Sequence, residues 1–170
     1  MMPSPVKIVV TDTNVLINLV HISRLGLCGG LQGMEFIVPE AVLRELTQDE
    51  QRVAIDMAIA SGGLRVDSMT DLGELATYSD LADRMGKGEA ACLAVASARG
   101  WSLASDEKGR FRREAVARIG EARLIGTADL LLMGIRAGLL SVKEADEAKV
   151  TLESRRFKMP FDSFRDLLQS

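Results

Sequence analysis

The sequence predicts an α/β fold, a three-layer sandwich in which a parallel central sheet is flanked by helices. Short β-branched or apolar runs alternate with helical segments at a spacing that suits parallel strands joined by crossover helices. Glycines close the helical runs, at Gly62 and Gly63, Gly100, Gly120 and Gly138. The chain has 170 residues and 47% hydrophobic composition, enough for one well-buried core and little room for a second.

The elements follow in order. "KIVVTD" is a β-branched strand, and "NVLINLVHISRLGL" behind it keeps helical spacing of its apolar residues. In "EFIVPEAVLRELTQDEQRVAIDMAIASGG", "FIV" is a strand, Pro39 suits the first turn of a helix, and the helical run stops after Ser61. "LRVDSM" is the next strand. Residues 70–99 are helical with a break at "MGKGE", after which "EAACLAVASAR" forms a new helix. "WSLASD" is a strand, "EKGRFRREAVARI" a helix, "ARLIG" a strand and "TADLLLMGIRAG" a helix. Ser141 and Glu144 form a capping-box pattern for a further helix, and "MPFDSFRDLLQS" a last short one.

Composition narrows the function classes. Charged residues make up 26% with a net charge of −3 and no long block of one sign, which excludes a whole-chain cationic clamp on nucleic acid. A local basic strip or a bound divalent cation can still supply the attraction. Cys28 and Cys92 lie far apart and outside any CxxC or Cys/His cluster, so they read as buried thiols rather than a zinc site or disulfide. No apolar run approaches the roughly 20 residues needed to span a bilayer, and the expected location is cytoplasmic.

The acids carry the chemistry. Asp12 and Asp106 end apolar strands, where ligands collect in an open parallel sheet. Either one alone also reads as a helix N-cap. Glu45 borders the buried stripe of "PEAVLREL", and Glu89 opens a helix whose Cys92, Leu93 and Ala96 share its face. Four carboxylates meeting in one volume repel one another unless a cation sits among them. Oxygen donors without histidine or cysteine select Mg2+ or Mn2+. Such an ion suits phosphodiester hydrolysis, because it lowers the pKa of water and offsets charge on the phosphate.

In this order, "VTDTNVLINL", "VPEAVLREL", "GKGEAACLAVA", "LASDEKGRFRREA" and "RLIGTADLLLMGIRAGLL" resemble the PIN-domain nucleases, in particular the PilT N-terminus-like branch that includes VapC-type toxins. The resemblance covers residues 5–140, leaving 141–170 as a C-terminal helical extension packed on the same domain. It implies that Asp12, Glu45, Glu89 and Asp106 are the catalytic, metal-binding acids, with Glu107 as a further acid. It also implies supporting roles for Asn14, which braces Asp12, and for Ser105 and Thr127. The activity implied is a Mg2+-dependent endoribonuclease, the toxin of a type II pair, with an RNA substrate, an antitoxin protein and a homodimer as partners. Glu89 departs from the aspartate of many toxin members, and "SDE" followed by Gly109 departs from their usual pair of aspartates.

Arg110, Arg112 and Arg113 are candidate phosphate contacts on the helix after the second strand-end acid, though a solvated face explains them equally. His21, the only histidine, reads as structural. Tyr78 and Trp101 are too few for an aromatic platform on single-stranded nucleic acid. Two other readings stand beside the nuclease. One is a degenerate PIN-fold binding or scaffold module. The other is a haloacid dehalogenase-like phosphatase, which requires an aspartate where this chain has Asn14.

Overall fold

The strands are β1 (Lys7–Thr11), β2 (Met34–Pro39), β3 (Arg65–Asp67), β4 (Ser102–Ala104) and β5 (Leu124–Ile125). In a computed structural model, which describes residues 5–169, they form one all-parallel sheet in the order β3-β2-β1-β4-β5. Helices flank the sheet in a three-layer α/β arrangement, as the alternation predicted. The register pairs Val10 of β1 with Ile37 on one side and with Leu103 on the other, so β1 is central and its Val9, Val10 and Thr11 are buried.

The chain leaves β1 toward β2 and β3, then crosses back to place β4 on the other side of β1. That reversal is a topological switch point, which opens a crevice at the carboxyl ends of β1 and β4. Asp12 and Ser105 to Glu107 follow those two strand ends directly. The Asp12 backbone N–H donates to Ala104 O at 2.9 Å, which ties the two ends together.

The helix after β1, α1 (Thr13–His21), is shorter than its apolar pattern. Ser23 takes a left-handed conformation (φ 56°), and Arg24 N–H donates back to Leu19 O at 2.8 Å. This turn lets Leu27 and Cys28 of a short helix, α2 (Leu27–Gly30), enter the core. Pro39 is not in the first helical turn. It ends β2 with extended backbone (ψ 148°) and caps α3 (Glu40–Glu45) from outside. The helical run expected through residue 61 is two helices, α3 and α4 (Asp49–Ala60), because Leu46 leaves helical geometry to bury its side chain.

The break at "MGKGE" separates α5 (Leu72–Ala82) from α6 (Lys87–Arg99). Every residue of α6 from Ala90 to Ala96 is buried, and α6 packs against the sheet, α3, α5 and α7 (Gly109–Ile119). Its small Ala and Cys side chains fit that crowding, and an all-round apolar helix belongs inside. Gly100 ends α6 in the left-handed conformation (φ 69°), the cap read from sequence. The segment read as the strand "ARLIG" begins instead as a 3-10 turn, Glu121–Arg123, and only Leu124–Ile125 pair with β4.

Leu130 and Leu131 of α8 (Thr127–Arg136) are fully buried, so its excess of apolar residues is spent largely in the core. Ser141 caps α9 (Val142–Ser154) by the reciprocal capping box expected: Ser141 Oγ accepts from Glu144 N at 3.0 Å, and Glu144 accepts from Ser141 N at 2.9 Å. Helix α9 buries Ala145, Ala148 and Leu152, and α10 (Phe164–Leu168) buries Phe164, all within the common core. Ser170, at the end of the last predicted helix, lies outside the described residues. Among the described residues no helix is long and apolar enough to cross a membrane.

Candidate active site

Asp12 is the centre of the acidic cluster. It caps α1, accepting from Thr13 N at 2.8 Å through Oδ1. Its other oxygen accepts from the Ser105 hydroxyl at 2.9 Å, so both strand ends orient this carboxylate. Asp12 is 2% exposed, and burial pushes its carboxyl up to about 6, with repulsion from Glu107 and Glu45 adding to the effect of burial. The helix cap and the buried acid are one residue.

Glu45 reaches the cluster from the last residue of α3. Its carboxylate accepts from Thr13 Oγ1 at 2.8 Å and from Gly88 N at 2.7 Å, joining α3 to the first turns of α1 and α6. Glycine at 88 leaves room for this approach: a Cβ there would lie 2.6 Å from Glu45 Oε1 and displace the carboxylate. Glu89 stands beside it in the first turn of α6. Its carboxyl is pushed up to about 7, first by burial and then by repulsion from Glu107, Asp12 and Glu45. Three elements thus deliver acids into one electrostatic field.

Glu107 belongs to the same field, and Asn14 holds it by an amide N–H at 3.1 Å. Asp106 points elsewhere. Its carboxylate accepts from Thr127 N at 2.9 Å, from Asn18 Nδ2 at 3.0 Å and from the Thr127 hydroxyl, which anchors the start of α8 to the end of β4. Burial raises its pKa, and those three donors oppose the rise. Exposed Glu107 is the acid whose charge acts on Asp12 and Glu89, and half-buried Asp106 lines the cleft beside it.

Asn14 does not brace Asp12 as expected from the resemblance. It reaches across the switch point, accepting from Asp106 N at 3.2 Å and donating to Glu107. Ser105 makes the direct contact with Asp12. Thr13, Asn18 and Gly88 were not singled out from sequence. Asn18 lies one helical turn after Asn14, and Gly88 sits one residue before Glu89, so spacing around the recognised acids was the available signal.

A cleft of about 630 Å3 continues from the cluster along β4 and β5, lined by Glu107, Lys108, Arg112, Glu121 and Asp129 among others. Of the three candidate arginines, only Arg112 lines it, paired with Glu121 at 3.0 Å. Arg110 lies against the Arg84 carbonyl at 3.5 Å, and Arg113 is exposed on α7 outside this cleft. Lys108 supplies a cation that sequence spacing did not flag. A separate cavity of about 650 Å3, between α1 and α4, carries Glu50 as the sole charged residue of its lining.

Among the described residues, no three His, Cys, Asp or Glu side chains converge closely enough to enclose a metal ion. The acids repel and take local donors instead: Glu45 on Thr13 and Gly88, Asp106 on Thr127 and Asn18. The donor set still fits a hard divalent cation. It is all oxygen, it opens on the strand-end crevice, and after the effect of burial the neighbouring acids raise both Asp12 (Glu107 and Glu45) and Glu89 (Glu107, Asp12 and Glu45).

A family model described as DUF3368: PIN domain matches residues 8–170. The chain belongs to the PIN-domain family. The match includes α9 and α10, and PIN domains are in general nucleases that use divalent metals. No curated protein matches the chain. In this PIN domain the acids stand on four of the five segments that carried the sequence resemblance.

Proposed function

We propose that this PIN domain is a Mg2+- or Mn2+-dependent endoribonuclease that hydrolyses RNA phosphodiester bonds. The observation that carries the proposal is the convergence of Asp12, Glu45, Glu89 and Glu107 at the switch point, where burial first and repulsion among the acids second push Asp12 up to about 6 and Glu89 up to about 7. These residues would hold the ion, with Asp106 shaping the site through Thr127 and Asn18. When bound, the ion supplies activated water and offsets the charge that develops on phosphate.

The chain's own groups do the positioning. Ser105 fixes the Asp12 carboxylate, and Thr13 and Gly88 fix that of Glu45. Lys108 and Arg112 place positive charge along the adjoining cleft, where phosphate contacts set the position of a strand without reading its bases. The resemblance to VapC-type toxins extends the proposal to a toxin that works as a homodimer and is held in check by an antitoxin protein.

A second reading, a PIN-fold binding module without catalysis, is favoured by the absence of a closed three-acid cage among the described residues. A phosphatase of the haloacid dehalogenase type is disfavoured, since Asn14 spends its amide on Glu107 and Asp106. The test is cleavage of labelled single-stranded RNA with Mg2+ by the wild type and by Asp12→Asn. The nuclease reading expects cleavage that EDTA and the substitution both abolish. An inert wild type that binds no Mg2+ or Mn2+ by calorimetry supports the binding module, and undiminished cleavage by Asp12→Asn removes Asp12 from the mechanism.

A further inference from the structure

On the side of the acidic cluster away from Lys108 and Arg112, the carboxyl ends of β2 and β3 open into a slot of about 170 Å3. Its walls are Tyr78 and Leu75 of α5, Met69 of the preceding loop, Pro39 at the end of β2 and Arg44 of α3, with Val95 of α6 completing it. A site that encloses a whole small molecule has roughly 300–1,000 Å3. This slot has room for one flat ring.

Its place relates it to the cluster. Ala41 of α3 lines the slot, and Glu45 lies four residues on, so one face of α3 borders both. Ala91 and Val95 lie behind the slot on α6, the helix that carries Glu89. A single strand laid across the carboxyl end of the sheet, with its cleaved phosphate at the acids, meets the cleft that carries Lys108 and Arg112 on one side and this slot on the other.

Tyr78 and Arg44 of the slot keep their polar ends for a ligand. Among the described residues the Tyr78 hydroxyl has no hydrogen bond, and Arg44 has only a 3.7 Å pairing with Glu40, with its side chain 78% exposed. Leu72, Leu75 and Tyr78 form a stripe on α5, with Leu72 84% and Leu75 41% exposed. Trp101, the other large polar aromatic, is already stacked under Arg99 at 4.9 Å. The back of the slot is fixed, because Arg99 holds Asp67 at 2.9 Å and the Ser68 carbonyl at 2.9 Å.

We propose that this slot receives one base of the single-stranded substrate next to the cleaved phosphate, with Tyr78 as its stacking face and Arg44 on the adjoining phosphate. The proposal rests on the nucleic-acid reading of the acidic site. It is a single-base pocket, not an aromatic platform, in keeping with the scarcity of aromatics. One stacked base carries a preference for rings over sequence.

The full chain is mixed with a single-stranded RNA oligonucleotide bearing 5-iodouridine, with Ca2+ present as a hard ion for the same oxygen donors. After irradiation, cross-linked peptides are mapped by mass spectrometry, and affinity is followed by fluorescence anisotropy. Adducts on Tyr78 or Met69 are expected in the wild type. Tyr78→Ala should weaken binding roughly tenfold, and Tyr78→Phe should retain it. Binding with adducts only at other positions, and an unchanged Kd for Tyr78→Ala, overturns the slot while leaving the nuclease reading intact. An oligonucleotide that does not bind at all removes the nucleic-acid reading and the slot with it.

Discussion

Asp12→Asn should stabilise the metal-free protein at neutral pH while removing its response to metal. The Asp12 carboxyl rises from 3.8 to about 6 on folding, so the native state holds a proton that the unfolded chain releases between those values. The native state then binds more protons, and stability falls as pH rises through that window. The full effect is about 3 kcal/mol, and roughly 1.4 kcal/mol of it develops between pH 5 and pH 8. An asparagine carries no charge to bury. It can still accept from Thr13 N, though Ser105 must reorient, at a cost of about 1 kcal/mol that is the same at both pH values.

The stability difference, Asp12→Asn minus wild type, should therefore grow by about 1.4 kcal/mol from pH 5 to pH 8. Urea unfolding with EDTA at both pH values measures it; groups that do not couple to Asp12 cancel in the difference, and Glu89, whose carboxyl Asp12 also raises, adds to it in the same sense. Mg2+ or Mn2+ should narrow the gap at neutral pH. At ten times its Kd an ion stabilises the wild type by about 1.4 kcal/mol, a rise in melting temperature of roughly 3–6 °C, and leaves the variant unmoved. A pH-independent difference, or an equal metal response in both proteins, would refute the reasoning that Asp12 is a buried charge awaiting a cation.

Gly88→Ala forces Glu45 to retreat by about 0.8 Å, from 2.6 Å to the 3.4 Å of ordinary contact, and should lower metal-dependent cleavage by roughly 100-fold with little change in unfolding. Enzyme assay beside urea denaturation checks it. Glu107→Gln should lose cleavage without losing stability, whereas Asp106→Ala, which strands the Thr127 and Asn18 donors, should cost about 1–3 kcal/mol by the same denaturation. Arg99→Ala leaves Glu74, 3% exposed, without its partner and should cost about 3–5 kcal/mol, whatever its effect on activity.

The strands and the helix boundaries were legible to different degrees. Strand ends with Asp12 and Asp106, the glycine stops and the Ser141 capping box are local signals, and the structure follows them. The ends of α1 and α3 were not legible, because Ser23 adopts a left-handed turn with no glycine to mark it and Leu46 leaves the helix for a tertiary reason. At the site, the residue types and their segments were visible in sequence. The division between Asp106 and Glu107 was not, since it depends on Asn18 and Thr127 drawing one carboxylate inward from distant elements. Asn14, two residues after Asp12 in sequence, serves the opposite strand end for the same reason.

The most direct test is the origin of the oxygen added at the cut. RNA cleaved by the wild type with Mg2+ in 18O-labelled water should yield a 5′-phosphate carrying the label and a free 3′-hydroxyl, and a 2′-deoxy substitution at the cut should leave cleavage intact. Fragments ending in a 2′,3′-cyclic phosphate, formed by the RNA's own hydroxyl without label, would contradict hydrolysis by water at the Asp12 and Glu89 site.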